Sequence, residues 1–255
     1  MIHPVHEMKV GQLSVSVYPD NQALGIAAAA QAAAILHAAI AARGHANAIL
    51  ATGNSQLTTL AALREANVDW SRITLFHMDE YVGLAPTHSA SFRKFLHDRI
   101  VDSVHPKAFY GVEGDAADVD DVCRRYAELL HQHPADLVCL GIGENGHIAF
   151  NDPPYADFDD PKWVKVVTLA EKSRLQQVGE GHFPSLEAVP TQAITLTIPA
   201  LLAARHMLCI VPELRKAEPV KATLTGPIVE TCPASILRTV AHARLLLDRD
   251  AASLL

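Results

Sequence analysis

Residues 136–152 of the chain read DLVCLGIGENGHIAFND, and this stretch decides the fold. Its aliphatic run over 137–141 predicts a buried strand, because the strands of a parallel sheet are covered on both faces. The glycines that follow indicate a loop with unusual backbone angles or a close approach to another group. His147 lies among them, and a histidine oriented by a carboxylate, here Glu144 or Asp152, can move protons near neutral pH. The alternative is a core histidine satisfied by backbone carbonyls.

Aliphatic runs of the same kind recur along the chain and alternate with helix-compatible stretches. The other predicted strands are 13–17, 48–51, 73–78, 165–169, 193–198, 207–211 and 244–247. The predicted helices are 21–43, 55–66, 91–101, 118–131 and 213–224. This alternation favours right-handed crossovers and an α/β fold with a mainly parallel sheet. No repeat or linker divides residues 1–255, so we expect a single domain, with polar loops at 151–161 and 179–190.

Composition and charge exclude several classes of protein. With 49% hydrophobic and 19% charged residues, the chain can bury a core, and its net charge of −7 without a basic run argues against nucleic-acid binding. Its four cysteines form no CxxC or zinc-ligand pattern. The sequence has no recognisable signal peptide, and no apolar run approaches the roughly 20 residues of a membrane span. We therefore expect a cytoplasmic protein that binds no membrane.

The TGNS sequence at 52–55 follows the strand predicted at 48–51 and opens a helix. Small residues let a backbone approach an anion closely, and free N–H groups at a helix start point toward it. Ser55 can add a hydroxyl. The alternative is a tight turn in which Ser55 caps the helix.

Asp79 and Glu80 close the strand predicted at 73–78. Partial desolvation there would raise the pKa of a carboxylate toward the value that a general acid or base needs. Alternatively, Asp79 forms a turn or a cap at the strand end. Because ligands of open α/β sheets bind beyond the carboxyl ends of the strands, all these motifs are candidates for one site.

Taken together, the motifs resemble those of the glucosamine-6-phosphate deaminase family, which is related to the 6-phosphogluconolactonases. The resemblance covers nearly the whole chain and rests on TGNS at 52–55, MDEYVGL at 78–84, SFRKFL at 91–96, GIGENGHIAFND at 141–152, Lys216 and PASIL at 233–237. It implies a modified Rossmann-like fold of three layers, αβα, similar to that of ribose-phosphate isomerases. The implied reaction converts glucosamine 6-phosphate and water to fructose 6-phosphate and ammonia. The implied enzyme needs no metal or other cofactor and is a monomer or a homo-oligomer that binds a small hexosamine phosphate.

The resemblance also implies roles for individual residues. His147 opens the sugar ring, Asp79 moves a proton between C2 and C1, and the phosphate is held by the 52–55 loop and Lys216. The implied catalytic residues are Asp79, Asn145, His147 and Asp152. The implied substrate-binding residues are Thr52, Gly53, Asn54, Ser55, Glu80, Gly146 and Lys216.

The chain departs from the family pattern beside the histidine. Asn145 stands where many members have Asp, and Asp152 stands where a Glu is usual. An amide can orient an imidazole but cannot stabilise its protonated form by charge, so either Asp152 or Glu144 has to supply the negative charge. Our hypothesis is that His147 with Asp152 suffices.

Two further departures concern ligand binding. The GEGHF loop at 179–183 lacks the Arg that the family commonly provides for the phosphate, and neither Lys172 nor Arg174 matches that position. The region 153–166, where hexameric members bind an allosteric effector, is acidic in its first part. We therefore expect hyperbolic kinetics.

Two other functions are compatible with parts of the sequence. A 6-phosphogluconolactonase would use His147 to activate water, but its relatives tend to have Ala-Ser after Gly-His and a Phe-Pro that this chain lacks. A catalytically silent sugar-phosphate sensor could afford to lose Asp79 or His147, and would usually carry a DNA-binding module. The epimer, glucosamine or galactosamine, is left open.

Overall fold

An eight-stranded sheet forms the centre of the computed structural model, which describes residues 2–153 and 155–255. Met1 and Pro154, the latter in the loop predicted at 151–161, lie outside the described residues. The strands of this sheet are β1 (His6–Val10), β2 (Leu13–Tyr18), β3 (Ala46–Leu50), β4 (Ile73–His77), β6 (Ala108–Tyr110), β7 (Leu137–Leu140), β10 (Met207–Val211) and β11 (Ala243–Asp248). Their order is β1-β2-β11-β10-β7-β3-β4-β6, and only β1 pairs antiparallel. The predicted mainly parallel α/β sheet is confirmed.

A second sheet of three strands differs from the prediction. It has the order β5-β9-β8 and is antiparallel, with strands β5 (Asp79–Tyr81), β8 (Val164–Thr168) and β9 (Gln192–Leu196). The strand predicted at 73–78 therefore ends at His77, and the chain then changes sheet. Asp79 pairs with Thr195 on β9, so it begins a new strand instead of closing the old one.

Eight α-helices accompany the sheets in the described part of the chain. They are α1 (Asn21–Arg43), α2 (Leu57–Arg64), α3 (Phe92–Leu96), α4 (Asp102–Val104), α5 (Val119–Gln132), α6 (Glu171–Gly179), α7 (Ile198–Leu202) and α8 (Ala217–Thr225). A π-helical turn at His97–Val101 joins α3 to α4. Helices α6 and α7 were not predicted, and α6 occupies a stretch adjoining the loop expected at 179–190.

Helix α1 has clear start and stop signals. The side chain of Asp20 accepts a hydrogen bond from the N–H of Ala23, and Gly44 ends the helix with a φ of 77°. Contrary to the sequence-based expectation, α1 is long and apolar enough to cross a membrane by length and composition. Half of the apolar 18-residue stretch in this helix is buried inside the fold, as in the core helix of a globular domain.

Helices cover both faces of the large sheet. Successive side chains of a strand point to opposite faces, and Leu50 and Leu75 pack in one core with α1 and α2. Their neighbours Ile49 and Phe76 pack in the other core, which includes side chains of α5, α7 and α8. The predicted three-layer αβα arrangement is therefore present.

Candidate active site

Four neighbouring strands carry the predicted motifs at their carboxyl ends. In the sheet, β10, β7, β3 and β4 lie side by side, and all their pairings are parallel. The motifs therefore emerge at the same edge of the sheet, as expected for a ligand site of an open α/β fold. One pocket there is lined by residues from all four motifs: Thr52, Gly53, Asn54, Ser55, Asp79, Gly141, Gly143, His147 and Lys216.

The loop after β3 presents backbone to the pocket. Gly53 has a φ of 94°, a conformation that favours glycine, and a β-carbon placed there would meet no atom within 4 Å. A short 3-10 turn at Asn54–Gln56 then leads into α2. Free N–H groups at such a helix start favour an anion, so the loop at 52–55 suits an anionic ligand.

The Asp79 carboxylate lies in the pocket without a hydrogen-bond partner among the described residues. Its residue is only 7% exposed. Burial, assisted by the charge of Glu80, raises the pKa of Asp79 to about 8. A buried, unpaired carboxylate is costly to a fold, which makes Asp79 the expected proton-transfer group of the pocket.

Glu80 makes contacts away from the pocket that the sequence did not predict. Its side chain is fully buried and does not line the pocket. The carboxylate accepts hydrogen bonds from the N–H groups of Tyr81, Phe92 and Arg93 and from the hydroxyl of Ser91, at 2.8–3.1 Å. Glu80 therefore caps the start of α3, and its assignment to substrate binding stays a prediction. Successive residues of a strand point to opposite sides, which separates Glu80 from Asp79.

The loop after β7 holds the His147 ring against three polar side chains. Nδ1 lies 2.7 Å from Asn145 Oδ1, 2.9 Å from Asp152 Oδ1 and 3.0 Å from Ser173 Oγ. Asn145 Nδ2 donates to the same Asp152 oxygen at 2.9 Å. Asn145 and Asp152 thus orient the ring and do not line the pocket, and Asp152, not Glu144, supplies the negative charge.

These contacts fix the tautomer of the neutral ring. Two of the three atoms around Nδ1 are acceptor oxygens, so Nδ1 carries the proton and Nε2 keeps its lone pair. Burial alone would raise the pKa of Asp152, but the hydrogen bonds and charge of His147, together with Asn145 and Ser173, lower it to about 2. Asp152 therefore remains ionised and can stabilise an imidazolium when Nε2 takes up a proton.

Two glycines of this loop have separate functions. A β-carbon at Gly143 would lie 2.1–2.4 Å from three atoms of the His147 ring, so only glycine leaves the ring its place. Gly146 has a φ of 84° and faces Cys232 instead of the pocket. Gly146 is therefore a turn residue, and its assignment to substrate binding stays a prediction.

Lys216 and Arg215 bring positive charge to the pocket. Lys216 is 3% exposed, and its Nζ has no hydrogen-bond partner in the described part of the chain. Burial lowers the pKa of Lys216, and the nearby Glu180 opposes that shift. Arg215, which was not predicted from the sequence, donates from Nε to Glu213 at 2.6 Å and from Nη1 to Glu180 at 2.9 Å. Arg174 instead donates to main-chain carbonyls and does not line the pocket.

Helix α6 forms the pocket wall that the sequence did not predict. It contributes Gln176 and Gln177, and Glu180 follows directly after it. Hydrogen bonds from His182 and Gln176 and the charge of Arg215 outweigh the effect of burial and lower the pKa of Glu180 to about 2. No group of three or more His, Cys, Asp or Glu side chains in residues 2–153 and 155–255 could hold a metal ion.

Comparisons with known proteins identify the family of the chain. Residues 19–246 match the sequence model of the family described as glucosamine-6-phosphate isomerases/6-phosphogluconolactonase. The glucosamine-6-phosphate deaminase of Exiguobacterium sibiricum is 40% identical over 206 residues, which are 81% of this chain and 80% of that protein. The glucosamine-6-phosphate deaminase of Bacillus cereus strain B4264 is 38% identical over 205 residues, 80% of this chain and 76% of that protein.

Solved structures show the same relationship. A monomeric glucosamine-6-phosphate deaminase is 32% identical with a TM-score of 0.86, and the match covers 97% of this chain and 100% of that one. A 6-phosphogluconolactonase from Shewanella baltica is 18% identical with a TM-score of 0.77. The match covers 94% of this chain and 100% of that one, and the two proteins share the fold. By sequence match over most of its length, the chain belongs to the glucosamine-6-phosphate isomerase/6-phosphogluconolactonase family.

Proposed function

We propose that the protein converts glucosamine 6-phosphate and water to fructose 6-phosphate and ammonia. The observation that carries this proposal is the meeting, in one pocket, of an unpaired carboxylate (Asp79), an oriented imidazole (His147) and an anion-binding loop beside Lys216. A sugar phosphate anchored by its phosphate would place its C1 and C2 atoms between the acid and the imidazole. The deaminase relatives at 38–40% identity support this reaction over lactone hydrolysis.

The phosphate would be held at the start of α2. Residues 53–55 of the turn and Lys216 line the same pocket. The guanidinium of Arg215 adds a second positive charge. Its Nη2 makes no hydrogen bond within the described residues, so it is available to a phosphate oxygen while Nε and Nη1 stay bound to carboxylates.

Ring opening would use Nε2 of His147. With the proton on Nδ1, Nε2 is a base that accepts the proton of the C1 hydroxyl and returns it to the ring oxygen. The carboxylate of Asp152 stabilises the imidazolium that exists between these two transfers, since Nδ1 lies 2.9 Å from its oxygen. The product of this step is the open-chain aldehyde.

Isomerisation would use Asp79. The carboxylate takes the proton from C2 and delivers it to C1, while the aldehyde oxygen gains a proton and the amino group loses one. This converts the 2-amino aldehyde to a 1-hydroxy-2-imine. Water then adds to C2 and ammonia leaves, which gives the ketone of fructose 6-phosphate. A pKa of about 8 suits Asp79 to a transfer in both directions near neutral pH.

The test is to incubate the protein with glucosamine 6-phosphate and to measure ammonia and fructose 6-phosphate in the same samples. Equal amounts of both products are expected, and their formation should be lost in Asp79→Asn. A parallel assay with 6-phosphogluconolactone tests the hydrolase. Cleavage of the lactone without release of ammonia from the amino sugar would overturn the proposal, and so would binding of the amino sugar without turnover.

A further inference from the structure

A buried hydroxyl on α6 contacts every polar member of the His147 network. Ser173 is 1% exposed and lies in the first turn of the helix. Its Oγ lies 2.5 Å from Asp152 Oδ1, 3.0 Å from His147 Nδ1 and 3.3 Å from Asn145 Nδ2. Ser173 is 21 residues beyond Asp152 in the chain, so tertiary folding alone brings it to the ring.

The hydrogen-bond roles follow from donor capacity. Asn145 Nδ2 can only donate, so Ser173 Oγ accepts that bond and turns its own proton toward the carboxylate of Asp152. The carboxylate oxygen Oδ1 therefore accepts hydrogen bonds from Asn145 and Ser173 and lies 2.9 Å from the ring Nδ1. Ser173 is the only hydroxyl among these groups, and it accepts from Asn145 while it donates to Asp152.

The same hydrogen bonds fix the orientation of the Asn145 side-chain amide. Its Oδ1 accepts from the main-chain N–H of His147 and faces Nδ1, whereas its Nδ2 faces Ser173 and Asp152. If the amide flipped, its NH2 group would face the proton on Nδ1. A hydroxyl at position 173 that accepts from Nδ2 therefore helps to preserve the tautomer that leaves Nε2 free.

Helix α6 is attached to the network at more than one point. The other oxygen of Asp152 accepts from the N–H of Ala170, just before the helix, at 3.1 Å. Gln176, one turn after Ser173, accepts from the N–H of Glu144 at 3.1 Å. An anchoring role alone could rest on these two bonds, and neither of them reaches the imidazole. The hydroxyl of Ser173 does.

We propose that Ser173 is a positioning residue for proton transfer at His147, acting by sharing the charge of Asp152 and by fixing the Asn145 amide. This inference rests on the proposed function only for its kinetic readout. The Ser173 hydroxyl donates a hydrogen bond to Asp152 and so stabilises the negative charge of the carboxylate. This weakens the attraction of the carboxylate for the imidazolium. Loss of the hydroxyl should therefore make the ring easier to protonate.

The first test compares Ser173→Ala with Ser173→Thr, which keeps a hydroxyl. We expect Ser173→Ala to lower kcat roughly tenfold with KM within about twofold, because the lost bonds join a charged group but leave the phosphate site intact. The break that His147 contributes to the acid limb of the pH profile of kcat/KM, beside the break set by Asp79, should move to higher pH. Ser173→Thr should restore both kcat and the profile. Asp79, Glu180, Lys216 and Arg215, the ionisable groups that share the pocket with the ring, are unchanged in both variants.

The matched control is Thr197→Val, which removes another buried hydroxyl. Thr197 caps α7 and bonds to the carbonyl of Lys162, without contact to the His147 network. It should lower the melting temperature and leave the pH profile in place. If Ser173→Ala behaved like Thr197→Val, with an unchanged profile, Ser173 would be only an anchor and the inference would be wrong.

The second test needs no turnover. In the free protein, the NMR titration of the His147 ring should have a higher midpoint in Ser173→Ala than in the wild type. An unchanged midpoint in a folded variant would overturn the inference even if the enzyme is active. If the wild type releases no ammonia but the midpoint moves as expected, the proposed function fails and the role of Ser173 stands. Should Ser173→Ala not fold, Ser173→Cys, with its weak donor, provides the same comparison.

Discussion

The Nδ1 atom of His147 lies 2.9 Å from a carboxylate oxygen of Asp152, five residues further along the same loop. We expect Asp152→Asn to lower kcat about 100-fold, because the imidazolium formed during ring opening loses its negatively charged partner. The break that His147 contributes to the acid limb of kcat/KM should move to lower pH, opposite to the shift expected for Ser173→Ala. Unchanged turnover in Asp152→Asn would refute the role of this carboxylate. Glu144→Gln is the comparison, with a much smaller loss, since Glu144 faces Arg215.

Asp79→Asn should separate activity from stability. Loss of the base should lower kcat by at least about 100-fold. The pKa of Asp79 is raised to about 8 from an unfolded value near 3.8, so between these values the folded protein holds one proton more than the unfolded chain. As pH rises through this window, ionisation of Asp79 therefore lowers the stability of the wild type. Asp79→Asn has no group there to ionise and lacks this contribution.

Urea unfolding at pH 5 and at pH 9 measures this difference. The free energy of unfolding of Asp79→Asn minus that of the wild type should be larger at pH 9 than at pH 5. An equal difference in unfolding free energy at both pH values would show that the carboxylate of Asp79 is not desolvated.

Lys216→Met should weaken binding of the phosphate and spare the reacting atoms. We expect KM for glucosamine 6-phosphate to rise about tenfold or more with a smaller change in kcat, since a charged partner of the phosphate is lost. Lys221→Met, in the exposed part of α8, removes the same charge from the surface and serves as the control. Inorganic phosphate should inhibit the wild type and the control competitively. Equal KM values for the two variants would place the phosphate elsewhere.

Gly143→Ala should inactivate the enzyme without unfolding it. The added methyl group would lie about 2.1 Å from His147 Cε1, so the ring must leave its place between the pocket and Asp152. Gly179→Ala introduces the same group where no atom lies within 4 Å and should retain activity. The measurements are kcat and the melting temperature of both variants. Full activity of Gly143→Ala would mean that the observed position of the ring is not required.

Local sequence signals were sufficient for those parts of the site that follow a strand of the large sheet. Aliphatic runs end at Leu50 and Leu140, and the polar loops after them lie where the parallel sheet requires. The role of Asp152 also followed from its charge and its closeness to His147 in the chain. These features depend on a few neighbouring residues.

Long-range contacts explain what the sequence did not reveal. Asp79 and Glu80 look equivalent in sequence, but pairing of β5 with β9, over 100 residues away, sends one carboxylate to the pocket and the other to the start of α3. Arg215 and Ser173 are likewise ordinary surface-type residues in sequence. Only the docking of α6 brings them to Glu180 and Asp152, respectively.

The adjacency of strands β10, β7, β3 and β4 also has a consequence for the stability of the fold. A sugar phosphate that touches loops after all four strands would act as a reversible cross-link between segments that are distant in sequence, from Thr52 to Lys216. Such a ligand stabilises only the assembled state and so favours it by mass action. Occupancy of the pocket should then slow proteolysis and amide exchange throughout the central strands, well beyond the residues that the ligand contacts.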